Sequence, residues 1–259
     1  MRLPRLPDLL TTANLACGVA SILLASQGQL TWACGLGFVA AVFDVFDGLA
    51  ARAMGGGTPL GAQLDSLADM VSFGVAPAML VYCTPVLLQD PVGALLAPYA
   101  KIAHPFGLVG IIAPVVLAVC SMWRLAKFNL DARQTSGFLG LNTPSNGLFW
   151  VSVVLVSLNV AVHPGPGYDM LAGLVVSLLK SSIALLIASV GMAFLMLSEL
   201  PLPGLKFKHF QWQGNQVIYV MAVLGAVLVV LYGILAVPLI LVVYVLSPLW
   251  GRVFLKAAS

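Results

Sequence analysis

Four aspartates, Asp44, Asp47, Asp65 and Asp69, fall within 26 residues of a 259-residue chain that has nine acidic residues in all. The residues around them are apolar, among them Val45, Phe46, Leu49, Leu64 and Leu67, which a solvated loop would not carry. In or at the edge of a bilayer each carboxylate costs roughly 2.5–3.5 kcal/mol unless it meets a metal, a partner or water. The spacing says how they share a site. Asp44 and Asp47 are i,i+3 and Asp65 and Asp69 are i,i+4, so each pair projects from one face of its helix. Two such faces turned toward each other make an all-oxygen cage suited to hard divalent cations such as Mg2+ or Mn2+.

The elements that must hold this cage are membrane helices. Hydrophobic residues make up 61% of the chain and charged residues 8%, against about 25% charged in an ordinary soluble domain. An all-α polytopic helix bundle is expected, with about eight spans of the ~20 residues that cross a bilayer. They fall near 9–27, 31–53, 60–83, 107–128, 145–162, 179–198, 215–233 and 236–251. The stretch 84–106, with Pro85, Pro91, Pro98 and Pro105, reads as an extramembrane loop with one interfacial segment. Ten of the twelve basic residues fall on one side of this topology: Arg2, Arg5, Arg52, Arg124, Lys127, Arg133, Lys206, Lys208, Arg252 and Lys256, with Lys101 and Lys180 as exceptions. Both termini and the aspartates are therefore expected in the cytoplasm. The net charge of +3 follows from this bias and calls for no nucleic-acid partner. The first apolar run lacks a small-residue cleavage site and reads as an uncleaved first helix.

Other chemistry is sparse. Cys17, Cys34, Cys83 and Cys120 are scattered singly through apolar spans, without metal-ligand spacing, and read as reduced, buried small hydrophobes. His104, His163 and His209 are isolated in loops and read as solvated or structural residues. There is no Ser-His-Asp or Cys-His nucleophile motif. Gly55–Gly57 lacks the Lys-Ser/Thr of a phosphate loop and reads as a turn.

The arrangement Asp44, Asp47, Gly48, Ala51, Arg52, then Gly61, Asp65 and Asp69, resembles the signature of the CDP-alcohol phosphatidyltransferase family, D-x2-D-G-x2-A-R-x8-G-x3-D-x3-D, at every fixed position. The resemblance implies that a CDP-linked lipid donates its phosphatidyl group to an alcohol and CMP leaves. It implies two metal ions, Mg2+ or Mn2+, held by Asp44, Asp47, Asp65 and Asp69, with Asp69 also accepting the proton of the incoming hydroxyl. A two-metal site suits in-line displacement at phosphorus because the cations neutralise phosphate charge and orient the leaving oxygen. Gly48, Ala51 and Gly61 would let the nucleotide approach the backbone. Arg52 would pair with a phosphate or a neighbouring acid, or act as a positive-inside anchor. The family also implies a six-helix catalytic core and a homodimer.

Further segments resemble the branch of this family that takes L-serine as acceptor and CDP-diacylglycerol as donor. They are Asp65 to Pro77, Arg124 to Asn129 (R-x-A-R-F-N with Lys127 in place of Arg), and Phe138 to Pro144 (F-x-G-L-P-[ST]-P with Asn142 in place of Pro). The opening from Leu6 through Thr11 to Asn14 and the segment Met196 to Pro201 also fit. Ser72, two helical turns beyond Asp65, would bond substrate or bond back to its own helix. Arg124 and Lys127, i,i+3, would bind a carboxylate or phosphate, or simply mark the cytoplasmic helix end. Asn129 and Asn14 would line the cavity. The matches run to about residue 206, so 1–206 is expected to be the catalytic membrane domain and 207–259 two additional, peripheral helices of the same domain. A bacterial inner-membrane location is expected.

Two alternatives stay open. A different acceptor, such as glycerol 3-phosphate, inositol phosphate or choline, is possible within the family; a phosphorylated acceptor should require more cations than Arg52, Arg124, Lys127 and Arg133 provide. A cation transporter is the reading from another class, opposed by the placement of the acids at helix ends and the lack of a broken-helix repeat.

Overall fold

The computed structural model describes residues 5–89, 105–131, 137–158, 167–203, 215–248 and 250. Outside these lie most of the expected 84–106 loop, the boundary near residue 206, His104, His163 and His209, and Arg2, Lys101, Arg133, Lys206, Lys208, Arg252 and Lys256.

Helices α1 (Leu6–Ser26) and α2 (Leu30–Ala53) form an antiparallel hairpin closed by Gly28, whose φ of 76° suits the tight reversal. Their seam is built from small and polar residues: Thr11, Asn14, Gly18, Ser21 and Ala25 are buried on α1, and Ala33, Cys34, Gly37 and Ala40 on α2. Small residues let backbones approach closely, which is how helices associate where lipid removes the hydrophobic drive. Ser21 Oγ donates to the Ala33 carbonyl across the seam at 2.8 Å.

The chain turns through Gly55 (φ 87°) and Gly56 (φ 111°) into α3 (Pro59–Asp69). Thr58 caps this helix by accepting the Gly61 N–H at 2.9 Å, and Pro59 has the preset φ of a first turn. The helix then passes through a π-helical segment, Met70–Val75, into α4 (Ala76–Gln89). Three neighbours receive that segment. A Cβ on Gly18 would lie 2.8 Å from Ser72 Cα, one on Gly147 would lie 2.8 Å from Phe73 Cβ, and Gly74 fits against Ser121.

After α5 (Val109–Leu130), the short strand β1 (Gly137–Leu139) leads into α6 (Thr143–Ser157), capped by Asn142, whose side chain accepts the Ser145 N–H at 2.9 Å. Helix α6 is buried along most of its length, with Trp150 0% exposed. Helices α7 (Tyr168–Lys180) and α8 (Ser182–Leu197) meet at a 97° bend. Strand β2 (Pro201–Pro203) pairs antiparallel with β1, Phe138 opposite Leu202, and ties the end of α8 to the approach to α6. Gly140, at φ 75°, is required there, because a side chain would strike the Ser198 and Met196 carbonyls.

Helices α9 (Gln216–Tyr232) and α10 (Ala236–Val245) follow. A Cβ on Gly225 would lie 3.5 Å from Ile240 Cδ1. Fifteen residues of straight helix would separate these positions by about 22 Å, so the chain doubles back at Gly233, where φ is 53°. Met221, Leu241 and Tyr244 join one apolar cluster with Trp150, Leu117 and Leu185, so this hairpin packs on the bundle.

By length and hydropathy, four single stretches among the described residues can cross a bilayer, Leu6–Ser26, Leu30–Ala53, Pro59–Gln89 and Val109–Leu130, with the bent α7–α8 pair and the doubled-back Gln216–Val245 as further apolar candidates, in place of eight single helices. The difference has identifiable sources. The described part of α6 is 15 residues long, and the span expected at 179–198 is one arm of the bent pair. The spans expected at 215–233 and 236–251 form one hairpin. Large apolar side chains point outward, Phe194 at 71% and Val230 at 74% exposure among them, as on a lipid-facing surface. The protein is an all-α multi-pass membrane bundle with one small ribbon.

Candidate active site

The last turns of α2 and the body of α3 bring three of the four aspartates together. Carboxylate oxygens of Asp44, Asp47 and Asp65 all lie within 4.8 Å of one another. Ligands held 2.0–2.6 Å from one shared cation are themselves no more than about 5 Å apart, so the spacing fits. The donor set fits too, being hard, anionic and all oxygen. Asp47 is 5% exposed, and Thr11 Oγ1 on α1 donates to its Oδ2 at 2.6 Å. Crowded, partly buried carboxylates repel one another and lose hydration, and a cation relieves both.

Asp69, one turn beyond Asp65, stands beside this trio and within hydrogen-bonding reach of Asp44. It is 6% exposed, and Asn14 Nδ2 donates to its Oδ1 at 3.2 Å. The expected four-carboxylate cage is thus three clustered carboxylates with the fourth adjoining them.

Two cavities meet at this cluster, with Asp44 and Asp65 lining both. The first, about 260 Å³, lies between the start of α1, the end of α2, the glycine turn and the start of α3. Gly48, Ala51 and Gly61, singled out for their size, all line it, together with Arg5, Asp8 and Thr11. A Cβ on Gly61 would come 3.1 Å from the Thr58 hydroxyl that caps α3 and 3.3 Å from Asp8 Oδ1. Arg52 is exposed and outside the lining; its Nη1 lies 3.5 Å from where a Cβ on Gly48 would be.

The second cavity, about 270 Å³, is lined by Asp44, Asp65, Ser66 and Asp69 on one side of the sequence and by Arg124, Phe128, Asn142 and Thr143 on the other. Arg124 is 3% exposed; its Nε donates to the Leu141 carbonyl at 3.0 Å and its guanidinium stands 5.4 Å from the Phe128 ring centre. Asn129 Nδ2 donates to Ser66 Oγ at 2.9 Å and so braces the wall from outside. Lys127 is exposed and borders a separate crevice with Asp131 and Glu199.

Ser72 is not on either cavity wall. It is 1% exposed, lies against Gly18, and donates to the Asn14 carbonyl at 2.9 Å. Ser72 lies in the π-helical segment that begins at Met70, and like Asp69 one turn before it, it faces Asn14 on α1. The sequence pattern does not single out Thr11 as a partner of Asp47, nor Arg5, Asp8 and Thr143 as lining residues. Polar residues at Thr11 and Asn14, i,i+3 in an apolar span, were the available clue. The four cysteines are all free.

Apolar spans around a partly buried carboxylate cluster, open to two cavities, define a polytopic membrane protein with an acidic polar site. The profile of the CDP-alcohol phosphatidyltransferases matches residues 5–197, and the chain belongs to that family. It is 30% identical over 206 residues to the CDP-diacylglycerol–serine O-phosphatidyltransferase of Bacillus subtilis (strain 168), covering 80% of this chain and 91% of that protein. With the protein of the same name from Helicobacter pylori (strain 26695) it shares 28% over 225 residues, 86% of this chain and 81% of that one. The archaetidylserine synthase of Methanothermobacter thermautotrophicus is 36% identical over 141 residues, about half of each chain.

Proposed function

We propose that this protein transfers the phosphatidyl group of CDP-diacylglycerol to the hydroxyl of L-serine, giving phosphatidylserine and CMP, at the cytoplasmic face of a bacterial inner membrane and as a homodimer. The observation that carries the reading is the wall shared by two cavities: Asp44 and Asp65 line both, so a donor phosphate and an acceptor hydroxyl can meet there. The first cavity, with Gly48, Ala51 and Gly61, suits the nucleotide diphosphate; the second, with Arg124, suits an acceptor bearing a carboxylate. The names of the relatives above point to the same acceptor. The cytoplasmic placement rests on the basic residues, since Arg5, Arg52, Arg124 and Lys127 all belong to the aspartate end.

A divalent cation bound by Asp44, Asp47 and Asp65 would supply charge neutralisation of the diphosphate and of the leaving CMP. The protein's own groups do the rest. Thr11 fixes Asp47 and Asn14 fixes Asp69, so both carboxylates keep one orientation. Asp69 lines the second cavity, where a serine hydroxyl would enter, and takes its proton during attack on the β-phosphorus. Direct displacement is favoured because the nearby serines are committed elsewhere: Ser66 Oγ donates to the Ala62 carbonyl at 3.1 Å and Ser72 to that of Asn14. Neither donates to a base that would activate it.

The test is CMP release from CDP-diacylglycerol by the purified protein with Mn2+ or Mg2+, with L-serine, glycerol 3-phosphate, inositol and choline in parallel. Serine-dependent release is expected. Release with another acceptor alone moves the chain within its family, and no release with any acceptor removes the enzyme reading.

A further inference from the structure

Thr143 is the first residue of α6 and lines the second cavity together with Asp44, Asp65, Asp69 and Arg124. It is 1% exposed, and its hydroxyl has no hydrogen-bond partner among the described residues. At this helix start Asn142 Oδ1 accepts the Ser145 N–H and the Asn146 N–H reaches the Asn142 carbonyl at 3.2 Å, while Asn146 Oδ1 is, like the Thr143 hydroxyl, buried without a partner among the described residues. Buried polar groups are nearly always paired. Of the six buried side-chain polar atoms without a partner among the described residues, Thr143 Oγ1 alone belongs to a residue of this cavity wall, which points to a partner that arrives with a ligand.

The surroundings say what that partner is. A hydroxyl can donate to an anion, and the start of a helix carries the positive end of its dipole. Arg124 adds a full positive charge to the same cavity, and its Nε bond to the Leu141 carbonyl anchors it two residues ahead of Thr143. The three aspartates on the same cavity disfavour any anion near them. An amino-acid acceptor is thus oriented by charge, carboxylate toward Arg124 and Thr143, hydroxyl toward Asp69. We infer that Thr143 is a specificity-determining residue whose hydroxyl donates to the carboxylate of the acceptor, selecting an amino acid over an amino alcohol. This rests on the reading of the function given above.

Thr143→Val removes the hydroxyl at nearly constant shape, and Thr143→Ser keeps it. With the full-length protein in detergent, KM for L-serine is expected to rise roughly tenfold in Thr143→Val, the loss typical of one hydrogen bond to a charged group. KM for CDP-diacylglycerol should stay constant, and Thr143→Ser should recover most of the serine affinity. Ethanolamine, which lacks the carboxylate, should act as acceptor or as inhibitor of serine turnover with the same constant in wild type and Thr143→Val. A serine KM within twofold of wild type in Thr143→Val overturns the inference. So does an equal loss toward serine, ethanolamine and CDP-diacylglycerol, which is the mark of a structural role. If the wild type itself releases no CMP with serine, the functional reading falls and takes this inference with it.

Discussion

Asn14 on α1 donates its side-chain amide to Asp69 Oδ1 at 3.2 Å, joining two residues 55 positions apart in sequence. Its main-chain carbonyl accepts from Ser72, so one asparagine links the carboxylate on α3 to the π-helical turn that follows it. Such outer partners set the orientation of a reactive carboxylate. Removing one typically costs 10–100-fold in activity or metal affinity. Asn14→Leu is expected to lower kcat for CMP release by about that factor. Steady-state kinetics check it, with a thermal melt as the fold control.

The clustered carboxylates make a separate prediction. Asn at position 44, 47 or 65 is nearly isosteric with Asp but withdraws one negative charge from a set whose oxygens lie within 4.8 Å of one another. Each single replacement should abolish turnover while the protein still elutes as a folded species. Chelation with EDTA should stop the wild-type reaction, and added Mg2+ or Mn2+ should restore it. Mn2+ titration followed by electron paramagnetic resonance tests the site without relying on activity. Wild-type Mn2+ affinity in Asp44→Asn and Asp47→Asn would contradict the ligand assignment.

Packing of the π-helical segment supplies a stability prediction. A Cβ on Gly147 would lie 2.8 Å from Phe73 Cβ and 2.9 Å from the main chain there, so backbone has to move. Overpacking of this kind costs about 1–3 kcal/mol. Gly147→Ala should lower Tm measurably, and Gly173→Ala, where the added atom meets nothing within 4 Å, should not. Equal melts for the two variants would refute this account of the π segment.

These glycines also mark what could be read from sequence and what could not. Long apolar runs revealed most spans, because lipid demands them. The aspartates pointed to their own clustering, because charge at a membrane is costly and their i,i+3 and i,i+4 spacing survives intact in α2 and α3. The π register from Met70 to Val75 has no local signature. Gly18, Ser121 and Gly147 on three other helices pack against it, and Ser72 within it bonds to α1 and lines neither cavity. Thr11 and Asn14 act across 36 and 55 residues, beyond the reach of helical periodicity. The bend at Ser181 and the reversal at Gly233 likewise depend on packing, and they account for much of the difference in the number of spans.

The last prediction concerns phosphorus stereochemistry. A covalent phosphatidyl-enzyme would need a nucleophilic side chain hydrogen-bonded to a base beside the carboxylate cluster. Thr11 does donate to a carboxylate, but it is 5% exposed and that carboxylate, Asp47, is assigned to the cation; Ser66 and Ser72 donate to main-chain carbonyls, of Ala62 and Asn14. A carbonyl accepts a hydrogen bond but removes no proton, so neither hydroxyl is primed. Asp69, by contrast, lines the second cavity and is held by Asn14, a geometry that suits proton removal from an alcohol entering there. One in-line step should therefore invert configuration at the β-phosphorus and follow sequential kinetics. A donor with chiral phosphorus reads the first and initial-rate patterns the second. Retention of configuration, or exchange of labelled CMP into CDP-diacylglycerol without acceptor, would require the two-step route and a nucleophile at another position.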